Sequence, residues 1–263
     1  MSGEISTPTG EGNRSDRMVI LSPHSDDACF SLGYLAMKSP DVCVVTVFSR
    51  SGYLPGMHGK DQITTAEAVT EVRQKEDLRF AERAKVNLIS LGLLDAPLRG
   101  ITSPLHRQPE SRDLEYVDAP LNHCLKIFRS QSDRLPMLFA PLGIGMHIDH
   151  LTLRDWTLNH FASLSGDYRI GFYEDLHYAS DKHARNLGIR DFKQRLNPGL
   201  SCRRLELPLG KEVSFKLELL ESYASQFLNG KPSISAFTPA AGDKVEPHEA
   251  VWLVDRIVHG DPA

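Results

Sequence analysis

Two short segments concentrate the side chains that can do chemistry: Pro23-His24-Ser25-Asp26-Asp27 and His147-Ile148-Asp149-His150. His24 and Asp27 lie three residues apart, so across a tight turn both can face one point, while Asp26 projects differently. His147 and His150 share that spacing. Two imidazole nitrogens and one carboxylate oxygen form a ligand set that leaves coordination positions open, as in a catalytic rather than a structural zinc site. Such a metal lowers the pKa of its water to about 7. A carboxylate beside that water then serves as general base. Taken singly, each residue has an ordinary reading: a His after a strand packs or caps, and Asp26, Asp27 and Asp149 all sit where helix N-caps occur. Two such loops together are harder to dismiss, and the adjacent carboxylates of Asp26 and Asp27 need a compensating charge.

The elements that position these loops follow from apolar patterning. Met18 to Leu21, Val42 to Phe48, Asn87 to Leu91, Met137 to Ala140 and Arg169 to Tyr173 read as short buried strands. Asp27 to Met37, Thr65 to Ala84, Tyr116 to Arg129 and Asp149 to Ser163 read as helices, with Thr64 or Thr65 as N-cap of the second. This alternation predicts an α/β fold: a Rossmann-like, mostly parallel sheet with helices on both faces. Both His/Asp loops directly follow strands, so they open at the edge where such sheets bind ligands. The last third forms a C-terminal elaboration, with a strand at Leu205 to Pro208, a helix at Ser214 to Phe227 and a closing strand at Ala250 to Val258. No Pro/Gly/Ser-rich linker divides the chain, which predicts a disordered tail over 1–16 and a single domain over 17–263. Three long loops, Gly52 to Gln62, Leu98 to Asp113 and Asn229 to His248, are expected to form the rim of a site.

Composition removes several function classes. With 41% hydrophobic and 24% charged residues the 263-residue chain should fold, and a net charge of −4 disfavours nucleic-acid binding driven by charge. No apolar run approaches the ~20 residues that span a bilayer, and Met1 to Asp16 lacks the apolar stretch of a secretory signal. Cys29, Cys43, Cys124 and Cys202 are widely spaced, which predicts reduced thiols and a cytoplasmic protein. No G-x-S-x-G elbow, G-x-x-x-x-G-K-[ST] loop or G-x-G-x-x-G after a strand occurs, so acyl-enzyme serine chemistry and those nucleotide sites are disfavoured.

The two loops resemble the (A/S)-H-P-D-D and H-x-D-H motifs of the PIG-L/LmbE-like zinc-dependent N-deacetylase family. Arg73-Gln-Lys-Glu76 is similar to its R-x-x-E, Leu91-Gly92-Leu-Leu-Asp95 to its L-G-x-x-D, Lys216 with Tyr223-Ala-Ser-Gln226 to its K…Y-x-S-Q helix, and Glu249 with Trp252 to its E-x-x-W. The resemblance runs from about Met18 to Trp252. It implies His24, Asp27 and His150 as ligands of one Zn2+ per chain, with another divalent metal as the alternative. It implies Asp26 as the general base, His147 as stabiliser of the oxyanion or proton donor to the departing amine, Asp149 as a carboxylate orienting a His, and Arg73 at the substrate mouth. The chain departs from the family pattern at Ser25, Ala28 and Ile144-Gly145-Met146, where members carry Pro, Glu and, in several, Tyr.

Outside these motifs, Arg50 and Ser51 after the second strand, and Glu174, Asp175 and His177 after the fifth, are candidates to bind substrate. Their ordinary readings are solvated loop ends and a helix cap. Together the sequence predicts a hydrolase removing an N-acetyl group from an amino sugar or sugar-bearing metabolite. The alternatives are an amidase acting on a larger N-acyl group or thiol conjugate, and a non-catalytic sugar-binding Rossmann-like protein. The expected partner is a small N-acetylated sugar, with no nucleic acid and no membrane span.

Overall fold

The apolar runs pair into one seven-stranded sheet: β1 Met18–Ser22, β2 Val42–Thr46, β3 Asn87–Ser90, β4 Met137–Pro141, β5 Arg169–Tyr173, β6 Leu200–Pro208 and β7 His248–Arg256. The computed structural model describes residues 17–53, 65–128, 134–227, 231–240 and 246–257, so the expected tail over 1–16 lies outside the described residues, as do parts of the first and third long loops. The strand order is β3-β2-β1-β4-β5-β7-β6. β3 to β5 run parallel through β2, β1 and β4, and β7 pairs antiparallel with both β5 and β6. Every residue of β1, β2 and β4 is buried, because helices cover both faces; that is why these strands read as continuous apolar runs. The C-terminal third is thus no appendage, since β6 and β7 extend the same sheet.

The helices are α1 Asp27–Lys38, α2 Ala66–Ala84, α3 Ser111–Lys126, α4 Ile148–Asn159, α5 Phe161–Leu164, α6 Lys182–Arg195 and α7 Val213–Leu220. Thr65 caps α2 by accepting from the Ala68 N–H (3.2 Å). α3 begins five residues earlier than the apolar pattern indicates, because the Asp113 carboxylate accepts from the Glu110 N–H (2.9 Å) and closes a capping box. The helix expected over 149–163 breaks at His160, and the one expected over 214–227 tightens into a 3-10 turn over Glu221–Gln226. Helix α6 has no counterpart in the sequence reading; it is largely polar and buries only Gly188 and Phe192. Among the described residues no helix is long and apolar enough to cross a membrane. Cys29, Cys43 and Cys124 are buried free thiols, and Cys202 is half-buried.

Helix α1, which leads out of the first His/Asp loop, is kinked at Leu32 (φ −132°). A buried ion pair fills the break. Lys216 Nζ donates to the Cys29 and Phe30 carbonyls (both 2.8 Å) and to Glu249 Oε1 (2.5 Å). The Glu249 carboxylate in turn accepts from the N–H groups of Tyr34 (2.8 Å) and Leu35 (2.9 Å). Backbone groups that a kink deprives of helical partners are therefore satisfied by side chains from α7 and β7, as buried polar groups require.

Candidate metal centre

β1 and β4 are neighbours at the point where the strand order reverses, so the loops after them open side by side. In the first, the Ala28 N–H donates to Ser22 Oγ (3.0 Å) and the His24 N–H to Asp27 Oδ2 (2.9 Å), folding the turn so that His24 and Asp27 meet. His24 Nδ1 lies 3.2 Å, and His150 Nε2 3.3 Å, from Asp27 Oδ2. One ligand-type atom from each of His24, Asp27 and His150 lies within 4.8 Å of the others. The opposite ring nitrogens face outward to carboxylates: His24 Nε2 to Asp149 Oδ2 (2.9 Å) and His150 Nδ1 to Asp175 Oδ1 (2.7 Å). An imidazole that gives one N–H to a carboxylate presents its other nitrogen, unprotonated, to a metal.

The electrostatics agree with that donor set. Burial alone would lower the His24 pKa, but Asp149 and Asp27 outweigh it and raise it to about 9. Burial likewise opposes charge on His150, yet Asp27 and Asp175 hold its pKa well above the ordinary imidazole value. Burial would raise Asp27, and the two imidazoles draw it well below the usual carboxylate range. The space between these side chains therefore favours a positive charge, and the residues fit a divalent cation.

Asp26 makes no helix-capping bond. Its Oδ1 instead accepts from Arg73 Nη2 (2.6 Å), whose Nη1 donates to Gln226 Oε1 and the Tyr53 carbonyl (both 3.3 Å). Arg73 is buried and spends its charge on Asp26. His147 Nδ1 accepts from the Asp149 N–H (3.2 Å), which leaves the proton of the neutral ring on Nε2. Burial, then His24 and His150, push its pKa down to about 3. Asp26, Asp27, His24, His147 and His150 all lie on the wall of an open cavity of about 610 Å³.

A curated 2′-N-acetylparomamine deacetylase from Streptomyces fradiae is 30% identical to this chain over 181 residues, 65% of the chain and 61% of the relative. The chain thus spans less than two thirds of that relative's length. A deacetylase of teicoplanin biosynthesis, solved with bog, superposes with a TM-score of 0.66 at 22% identity, covering 93% of this chain and all of that one. The A40926 pseudoaglycone deacetylase superposes with a TM-score of 0.64 at 21% identity, covering 92% and 98%. All three are deacetylases, and the two solved ones share the α/β fold of this chain. No family model matches it.

The remaining sequence candidates divide sharply. Ser51 and His177 line the cavity. Arg50 does not; it is exposed and bridges to Leu94 through its backbone. Glu174 does not bind at the cavity either. It is fully buried and accepts from Arg185 Nε (2.6 Å), Arg204 Nε (2.6 Å) and Trp252 Nε1 (3.0 Å), an ion cluster joining α6 to β6 and β7. Asp175 also lies off the cavity wall. Its Oδ2 accepts from the N–H groups of Gly143 and Ile144 (both 2.8 Å), and its Oδ1 orients His150. Adjacent residues of an extended segment point to opposite sides, so Glu174 and Asp175 take unrelated tasks. Tyr178, missed in the sequence, lines the cavity with its ring centroid 6.0 Å from that of His150. Its ring packs on Gly145 (φ +90°), where any Cβ would collide with it. The Leu98 to Asp113 loop does border the site: the Ile148 N–H donates to the Pro104 carbonyl (2.8 Å) and the His106 N–H to that of Met146 (2.8 Å).

Proposed function

We propose that this chain is a metal-dependent hydrolase removing an N-acetyl group from a small amino sugar or sugar-bearing metabolite in the cytoplasm. The convergence of His24 Nδ1, Asp27 Oδ2 and His150 Nε2 beside Asp26 and His147 on one cavity wall carries this reading. His24, Asp27 and His150 would hold one Zn2+ or another divalent ion, which when bound acidifies water and polarises an amide carbonyl. Asp26, its Oδ1 fixed by Arg73, keeps Oδ2 to take a proton from the attacking water and return it to the amine nitrogen. The Nε2–H of His147 donates to the amide oxygen as negative charge develops there. Asp149 and Asp175 hold the two ligand rings in orientation. The reaction named for the Streptomyces fradiae relative is of this class.

The cavity wall also favours a second reading, cleavage of a larger N-acyl group. Phe30, Phe227 and Phe237 form an aromatic cluster there, with Phe30 and Phe237 centroids 4.9 Å apart. The deciding experiment measures metal content of the purified chain and carboxylate release from N-acetylated amino sugars and their longer N-acyl analogues, before and after chelation. About one zinc per chain with chelator-sensitive acetate release is the expected result. Release of only longer acids would favour the second reading. A chain that takes up no divalent metal would refute both.

A further inference from the structure

Behind the candidate ligands lies a guanidinium that the proposed chemistry does not use. Arg99 ends a 3-10 turn, Pro97–Arg99, in the long loop after β3. Its Nη2 donates to Asp149 Oδ1 (2.6 Å). Its Cζ lies 4.9 Å from the Phe48 ring centroid and 5.4 Å from that of Tyr116. Nε and Nη1 are buried with no hydrogen-bond partner among the described residues. A charged group taken out of water with two donors unmet is costly, and contact with aromatic faces offsets only part of that cost.

Asp149 shows what the cost secures. It is fully buried, and its two oxygens have separate duties. Oδ2 accepts from His24 Nε2 (2.9 Å) and the Ala96 N–H (3.0 Å), whereas Oδ1 accepts from Arg99. The carboxylate behind His150 is held differently: Asp175 accepts from two backbone N–H groups and, among the described residues, from no Lys or Arg side chain. The two imidazoles are therefore backed unequally, one by a carboxylate whose charge is offset by a guanidinium, the other by a carboxylate held by peptide dipoles.

We propose that Arg99 is a positioning residue for the metal centre, acting through Asp149 to fix the ring of His24 and set how strongly its Nδ1 binds a divalent ion. The inference rests on the reading of His24, Asp27 and His150 as metal ligands. Without the guanidinium, Asp149 Oδ1 loses its partner, the buried charge is met only at Oδ2 by the Ala96 N–H and His24 Nε2, and the plane it presents to His24 is no longer defined.

The test uses the full chain and Co2+, with the dissociation constant read by chelator competition and the ligand field by the visible spectrum of the Co2+ form. Arg99→Met should weaken binding by about 10–100-fold and shift the spectrum, the range seen when residues behind metal ligands are removed. Arg99→Gln keeps a donor for Asp149 but no charge and should weaken binding by at least about five-fold; it decides the matter if Arg99→Met does not fold. In an Asp149→Asn background, removing Arg99 should cost less than about two-fold further, because the path runs through that carboxylate. Affinity and spectrum of both Arg99 variants matching wild type would overturn the inference while leaving the metal-binding reading intact. Additive losses in the Asp149→Asn background would overturn it too. A wild-type chain that binds no Co2+ would remove the metal-binding reading and this inference with it.

Discussion

Replacing Asp26 by Asn separates the proposed base from the proposed ligands. The variant keeps an oxygen where Arg73 Nη2 donates, 2.6 Å away, but removes the charge and the proton acceptor. A hydrogen bond between charged groups contributes about 1.5–3 kcal/mol. Asp77, Asp27 and Glu76 also act on the Arg73 guanidinium, so the folding cost should fall near the low end, about 1–2 kcal/mol. For 263 residues, about 2.1 cal/mol/K of unfolding entropy per residue gives roughly 0.55 kcal/mol/K, hence a Tm drop of about 2–4 °C. The rate effect is far larger. A positioned general base contributes about 10²–10⁴-fold, or about 2.7–5.4 kcal/mol of activation free energy. The assay combines metal content, acetate release and calorimetry on Asp26→Asn and Asp27→Ala. Asp26→Asn should retain metal and lose turnover, and Asp27→Ala should lose both. Equal metal loss in the two variants, or a metal-loaded Asp26→Asn that keeps more than about a tenth of the wild-type rate, would refute the division of labour.

Other expectations follow from the same contacts. Asp175→Asn should weaken metal binding by about 10–100-fold through His150, whereas Glu174→Gln should lower Tm and leave metal affinity unchanged; calorimetric titration with Co2+ distinguishes them. Lys216→Met leaves Glu249 buried without its cation, which costs about 3–5 kcal/mol and should lower Tm by about 6–9 °C in thermal unfolding. Burial pushes the Asp77 pKa up to about 7, although the Tyr223 hydroxyl donates to it (2.8 Å). The native state therefore binds this proton more tightly than the unfolded chain, so its stabilising contribution is full below the unfolded carboxylate pKa and fades as pH rises towards 7. Urea unfolding at several pH values should show wild type losing stability relative to Asp77→Asn over that window.

β1, β2 and β4 were legible because they are buried on both faces and carry little else. The polar helix α6 was not, since it buries only Gly188 and Phe192, which leave almost no periodicity. The start of α3 was missed because its capping box uses Glu110 and Asp113 rather than the usual hydroxyl. Around the site, spacing within each loop predicted that His24 could meet Asp27, and resemblance supplied His150 as the third partner. Spacing could not tell Glu174 from Asp175, because only the twist of the chain after β5 decides which of two neighbours turns to His150. Arg99 carried no signal at all, since its partner is fifty positions away.

The kink in α1 bears on when the site comes into being. All three proposed ligands have been synthesised once the ribosome passes His150, but the side chains that satisfy the broken helix behind His24 and Asp27, Lys216 and Glu249, come much later. A growing chain therefore holds its proposed ligands well before it can hold the helix that sets the angle of their loop. Glu249 lies on β7, which pairs between β5 and β6, so the brace on α1 is complete only when that strand has joined the sheet. Chains cut short before β7 should emerge with His24, Asp27 and His150 intact in sequence yet unable to hold them in register.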